Sequence, residues 1–224
     1  MYRQLSQKQD LVSEFSSFVP DTVARGTAFA FDLDGTITKA ELLPMIASEL
    51  GLEAEMRLLT ELTMAGKIPF EDSFRLRFAI LRSAGLERIW SIVSEVEFDP
   101  YIEDFINQNA SRCFVVTGNL DVWIKPLMER LPCKFYTSTA MLDAEGNIVA
   151  LDSVMRKNAA GLELKERFDR LVSIGDGFND IPIFDVADVG VAFMGLHAAP
   201  DALVSVSNYV ALNGKSLCRL LNTL

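Results

Sequence analysis

The spacing of apolar and polar positions changes several times along the chain, and each change predicts an element. Leu11, Phe15 and Phe18 have helical spacing within a segment from Leu5 to Val19 that Pro20 ends. Thr27 to Phe31 is a short apolar run closed by Asp32-Leu33-Asp34-Gly35-Thr36, two acids and a turn signal. Such a run reads as a buried strand. Four helices follow without a strand between them: Glu41 to Leu50, Glu53 to Ala65, Phe70 to Ser83 and Leu86 to Val96. Gly51, Gly66, Gly85 and Asp99-Pro100 supply their stops. Strands and helices then alternate. The pattern predicts a helix over Tyr101 to Ala110, a strand over Cys113 to Val116, a helix over Val122 to Leu131 and a short strand over Lys134 to Tyr136. A hairpin spans Met141 to Leu151 around Ala144-Glu145-Gly146-Asn147. Beyond it lie a helix over Asn158 to Phe168, a strand over Arg170 to Ile174, a helix over Ile181 to Val186, a strand over Val189 to Ala192 and an edge candidate at Tyr209 to Ala211.

This alternation predicts an α/β fold, a doubly wound, mostly parallel sheet of Rossmann-like type with a small helical bundle inserted after the first strand. The expected organisation is an N-terminal helical extension over 1–25, a core from 26–39 and 99–224, and a helical cap over 40–98. Composition sharpens the picture in one direction. The chain has 224 residues, is 50% hydrophobic and carries a net charge of −10, with no basic stripe. That balance supports a sizeable core and excludes nucleic acid or an anionic membrane surface as partner. It leaves room for a small phosphorylated metabolite, because local charge at a site can oppose the net charge. Cys113, Cys133 and Cys218 are scattered and odd in number, which fits reduced thiols. The first 25 residues lack a basic start followed by an apolar stretch, and no apolar run reaches the ~18 residues of a membrane span. A cytoplasmic protein is therefore expected, with its oligomeric state left open.

The chemistry gathers where strands end. Alternate strand residues share a face, so Asp32 and Asp34 point the same way. Two like charges ~4 Å apart cost roughly 4 kcal/mol at a surface-like dielectric, so the pair invites a cation, and oxygen ligands suit Mg²⁺. Thr117-Gly118-Asn119 and Asp176 with Asn179 and Asp180 close two further strands. In a parallel sheet all three groups lie along one edge. Each alone is ordinary turn chemistry; their coincidence is not. A carboxylate nucleophile needs no base to activate it, but it must approach a phosphate dianion, so cations have to screen the repulsion. Mg²⁺ on Asp32, the Asp34 carbonyl and Asp176 would supply one cation and Lys157 another. The Thr117 hydroxyl and the N–H groups of Gly118 and Asn119 suit phosphate oxygens. Asp34 suits proton transfer to and from the oxygens at phosphorus. His197, in a loop near Pro200, reads as structural or solvated, without a partner.

Asp32-Leu33-Asp34-Gly35-Thr36, Thr117-Gly118-Asn119, Lys157 and Gly175-Asp176-Gly177-Phe178-Asn179-Asp180 resemble, in order, the four motifs of the haloacid dehalogenase superfamily. The resemblance implies a Mg²⁺-dependent phosphatase with Asp32 as nucleophile and Asp34 as acid and base. It further implies that Asp180 supports the metal and Lys157, and that Asn179 orients the phosphoryl group. The insert is similar to the helical cap of phosphoserine phosphatases, through Glu41, the run Met64 to Phe70, and Arg77. This implies Glu41 facing a substrate ammonium, Arg77 holding its carboxylate, and Met64 and Phe70 shielding the pocket. The chain departs from that pattern where Gly35 and Thr117 replace serines, Asn119 replaces glycine, and Ala160 stands at the usual lysine position, three residues after Lys157. The reading is a phosphomonoesterase acting through an aspartyl-phosphate, with phosphoserine as first substrate. Phosphohomoserine or a methionine-salvage keto-phosphate is the alternative, and a catalytically silent regulatory relative is the non-enzyme one.

Overall fold

A computed structural model describes residues 24–64 and 67–224. The helix expected over Leu5 to Val19 lies outside the described residues. Strand β1 (Ala24–Phe31) leaves through a tight loop at Leu33–Ile37 into four helices, α1 (Leu42–Leu50), α2 (Glu53–Met64), α3 (Phe70–Leu81) and α4 (Leu86–Ser94). Then come α5 (Pro100–Gln108), β2 (Cys113–Leu120), α6 (Asp121–Met128), β3 (Lys134–Leu142) and β4 (Ile148–Ser153). The chain closes with α7 (Lys157–Arg167), β5 (Phe168–Gly175), α8 (Ile181–Phe184), β6 (Val189–Phe193), α9 (Asp201–Val206), β7 (Tyr209–Ala211) and α10 (Gly214–Leu221).

Among the described residues the sheet runs β4-β3-β2-β1-β5-β6-β7. Every neighbouring pair is parallel except β3 and β4. From β1 the chain steps outward to β2 and β3 on one side, then returns to β5 on the other. The carboxyl ends of β1, β2 and β5 therefore flank the point where strand order reverses, which is where open α/β sheets bind ligands. The period of two along β1 fixes its two faces. Phe29 and Phe31 join the larger core with Phe105, Trp123 and the buried faces of α1, α3 and α4. Ala28 and Ala30 join a second core with Leu164 of α7 and Ile183 of α8. Small residues on that side leave space for α7 to lie close to the strand. The inserted helices are tied to the core by aromatic contacts: Phe74 and Phe78 pack on Trp123, with ring centroids 6.4 and 6.2 Å away. The Trp90 indole N–H also donates to the Val122 carbonyl at 2.6 Å.

Four local features differ from the pattern-based expectation. Strand β1 starts at Ala24 rather than Thr27. Strand β2 does not stop at Val116; all eight of its residues are buried, and Thr117-Gly118-Asn119 continue it through a shift in register with β3 between Val116 and Leu120. The short strand at Lys134 and the first arm of the hairpin are one strand, β3, and the expected turn is built by Asp143, whose carboxylate accepts the N–H groups of Glu145 (3.0 Å) and Asn147 (2.8 Å). Helices α9 and α10 complete the chain; α10 is capped by Asn213, which accepts the Ser216 N–H at 2.9 Å, and buries Leu217 and Leu221.

Phe31 is fully buried immediately before Asp32. Phe31→Ala is expected to lower unfolding free energy by ~3–5 kcal/mol in urea denaturation. A loss below ~1 kcal/mol would contradict a β1 that anchors the core.

Candidate active site

The site is built first around a lysine. The Asp32 N–H donates to the Ile174 carbonyl at 2.8 Å, so the residue after β1 stays in register with β5. Its carboxylate, 5% exposed, accepts a hydrogen bond from Lys157 at 2.5 Å. Lys157 is the first residue of α7 and is equally buried; it also donates to Asp180 at 2.7 Å. The second oxygen of Asp180 accepts the N–H groups of Asp176 and Gly177, both at 3.1 Å. Both oxygens of Asp180 are thus engaged, and the residue acts as a brace for Lys157 and for the loop after β5. A Cβ at Gly175 would collide with the Asp180 carboxyl, so that close approach requires glycine. Burial alone would push Lys157 below its ordinary pKa, but Asp180 and Asp32 outweigh it and hold the ammonium charged well above the usual range.

Asp34 occupies a different environment. Its carboxylate accepts the N–H of Leu42, the first residue of α1, at 3.1 Å and the Asn119 amide at 2.7 Å. Asn119 donates also to the Thr117 hydroxyl, at 3.1 Å. Immediately after Asp34 the chain turns at Gly35, whose φ of +67° suits glycine. A Cβ there would strike Asp176, so the glycine also lets the loops after β1 and β5 close on each other. The Thr36 hydroxyl donates to Asp176 at 3.3 Å.

One lysine does not balance these acids. Burial first, then Asp180, raises Asp32 to about 8. Burial and Glu41 raise Asp34 to about 7. Burial, Asp32 and Asp180 raise Asp176 to about 9. The cluster of Asp32, Asp176 and Asp180 brings one oxygen from each within 4.8 Å of the others. An all-oxygen set that is short of positive charge fits a hard divalent cation. Because Asp180 is already engaged, Asp32 and Asp176 are the side chains left to hold it.

A cavity of about 480 Å³ opens above the strand ends. It brings together Asp32, Asp34, Thr117, Gly118, Asn119, Asp176 and Asn179 from the strand ends with Glu41, Phe70 and Arg77 from the inserted helices. Lys157 and Asp180 stand beside Asp32 without lining it. The Met64 side chain lies outside the described residues. The Arg77 guanidinium donates to the Thr60 hydroxyl at 2.9 Å and to the Ser73 hydroxyl at 3.4 Å, which fixes its direction. Burial lowers its pKa and the charge of Glu41 opposes that shift. The Phe70 ring passes 2.9 Å from where a Cβ on Gly118 would stand, so glycine lets α3 close over the strand end. Thr60, Ser73, Phe74 and Phe178 were not indicated by the sequence. His197 corrects an expectation: it is not partnerless, since its Nε2 lies 3.3 Å from Glu41 and 3.4 Å from Asp176. No spacing rule links a loop after β6 to a residue at the start of α1.

A family model described as haloacid dehalogenase-like hydrolase matches residues 29–185. The phosphoserine phosphatase of Methanocaldococcus jannaschii is 28% identical over 176 residues, 73% of this chain and 83% of that protein. Phosphoserine phosphatase SerB2 of Mycobacterium tuberculosis is 26% identical over 175 residues, 73% of this chain but 43% of the relative's length. A solved phospho-aspartyl intermediate analogue of phosphoserine phosphatase superposes with a TM-score of 0.71 at 23% identity, covering 90% of this chain and 100% of that one. No helix among the described residues is long and apolar enough to cross a membrane.

The raised acids make a stability prediction. Asp32 and Asp176 hold protons in the folded, metal-free chain at pH values where the unfolded chain has released them. The stability they contribute is present below about pH 4 and is lost as pH rises toward 9. Chelator-treated protein should therefore melt at least ~5 °C lower at pH 8 than at pH 5.5 in calorimetry. Asp176→Asn should flatten that slope. A flat or rising wild-type profile would contradict the charge shortage.

Proposed function

The chain belongs to the haloacid dehalogenase-like hydrolases, and from that premise we propose that it hydrolyses phosphoserine through an aspartyl-phosphate on Asp32. The phosphomonoesterase assignment follows from the family and its relatives. The observation that carries the choice of substrate is that Glu41 and Arg77 line the same cavity as Asp32 and Asp34. An amino acid esterified to phosphate needs an anion, a cation and a phosphate site in one enclosure. Arg suits its carboxylate bidentately and Glu its ammonium.

In this reading an Asp32 oxygen attacks phosphorus and the P–O bond to the serine side chain breaks. Asp34 gives its proton to the departing serine oxygen. Its carboxylate then takes a proton from water, whose oxygen attacks the same phosphorus and frees Asp32. An acid held near 7 serves both directions at neutral pH. Lys157 orients Asp32 and offsets charge, and Asp180 holds Lys157. The Thr117 hydroxyl, with the Gly118 and Asn119 N–H groups, receives the phosphoryl oxygens, and Asn179 orients them. Mg²⁺, held by Asp32, the Asp34 carbonyl and Asp176, would supply the positive charge that keeps Asp32 ionised and screens the phosphate. Residues 40–98 act as a cap that closes over the substrate, with Phe70 excluding water. A cytoplasmic location fits a small metabolite as substrate. A cavity of about 480 Å³ also admits a second reading, phosphohomoserine, whose chain is one methylene longer.

Steady-state kinetics on phosphoserine, phosphohomoserine and p-nitrophenyl phosphate tests the reading. Asp32→Asn should remove turnover of all three. Arg77→Ala should raise KM for phosphoserine by ~10–100-fold, the worth of a charge-assisted hydrogen bond, while leaving the aryl ester near wild type. Turnover of phosphohomoserine above phosphoserine would favour the second reading. Equal losses on all three esters would remove Arg77 from substrate recognition.

A further inference from the structure

His197 stands in the loop between β6 and α9, and its side chain is about half exposed, at 48%. It lines the cavity. Its Nε2 is within reach of two acids that belong to different parts of the fold: Glu41 Oε1 at 3.3 Å, just before α1, and Asp176 Oδ2 at 3.4 Å, at the end of β5. Asp176 is buried and Glu41 is partly exposed, with side-chain exposures of 5% and 39%. A glutamate on three rotatable bonds and partly open to solvent holds one direction only where a partner fixes it. Arg77, a basic group whose charge interacts with Glu41, is already directed by Thr60 and Ser73. The imidazole is the group placed between Glu41 and Asp176.

We propose that His197 is a positioning residue for substrate selection: its Nε2–H bridges Glu41 to Asp176 and thereby fixes the Glu41 carboxylate where a substrate ammonium is received. The proposal rests on the phosphoserine reading above. It requires only an N–H on Nε2, which the charged ring and one neutral tautomer both carry. It separates His197 from the reacting atoms, so the residue governs binding of amino-bearing esters and leaves phosphoryl transfer alone.

The test is a double-mutant cycle at saturating Mg²⁺ with phosphoserine and p-nitrophenyl phosphate. His197→Ala should raise KM for phosphoserine about tenfold, as loss of one hydrogen bond to a charged group does, with kcat within about twofold of wild type. kcat/KM for the aryl ester should stay within about twofold, and His197→Gln, which keeps an N–H donor, should recover most of the loss. In a Glu41→Gln background, His197→Ala should add less than about twofold. Calorimetric binding of L-serine, which involves no turnover, should weaken in parallel with KM. Full additivity in the Glu41→Gln background, or equal losses on both esters, overturns the proposal. So does an unaffected His197→Ala in an enzyme whose Glu41→Gln variant is impaired on phosphoserine. A wild type that ignores phosphoserine, or is indifferent to Glu41→Gln, overturns the phosphoserine reading itself and the His197 role with it.

Discussion

Everything at this site depends on making acids live together out of water. Asp32, Asp176 and Asp180 are nearly inaccessible; burial and Asp180 raise the cost of ionising Asp32, and burial, Asp32 and Asp180 that of Asp176. Lys157 is the protein's own answer. It bonds two of them at once, from a position 5% exposed. A buried pair stripped of one partner leaves an uncompensated charge costing about 3–5 kcal/mol, so lysine and acids depend on one another for stability. The answer is also partial: burial and the remaining repulsion still raise Asp32 to about 8 and Asp176 to about 9. That residue of unpaired charge is the physical basis for reading the cluster as a cation site, independent of any likeness to relatives.

Sheet topology concentrates the acids. Three parallel strands that meet at the reversal of strand order put Asp32, Thr117 and Asp176 on one edge, although the first and last are far apart in sequence. Glycines then let the loops touch. Gly35 admits Asp176, Gly175 admits Asp180 and Gly118 admits Phe70. The groups proposed to recognise the rest of a substrate come from other elements, Glu41 just ahead of α1 and Arg77 on α3. The cavity is therefore lined from two pieces of chain, and Glu41 couples them, since its charge acts on Asp34 and Asp176 beneath.

The same division explains what was legible in the sequence. Asp32, Asp34, Asp176 and Asp180 could be read because strand ends are announced by a change of apolar period followed by a turn. Lys157 could be read despite Ala160 standing at the family's lysine position. Its place at the start of α7 lets it reach Asp32 and Asp180, while Ala160 faces the core beneath the helix. The insert showed itself as four helices without a strand. Two kinds of feature stayed hidden. Helices α9 and α10 did carry local signals, the Asn213 cap and the spacing of Leu217 and Leu221, in a stretch dominated by the last strands. Thr60, Ser73 and His197 carried none, because their meaning lies in a partner brought near only by folding.

Asp34 shows how the proposed substrate and the proton chemistry fit together. Unlike Asp32, it has no lysine at hydrogen-bond distance among the described residues; its partners there are an amide and a main-chain N–H. Burial and Glu41 hold its proton on to about pH 7. An ammonium received by Glu41 would cancel much of that glutamate's charge. The repulsion on Asp34 would fall, and its proton would leave more readily when the ester oxygen comes to need it. An ester without an amino group would leave Glu41 charged and Asp34 a weaker acid. Selection for the amino group and readiness of the general acid would then be two consequences of one carboxylate, Glu41, standing close enough to both.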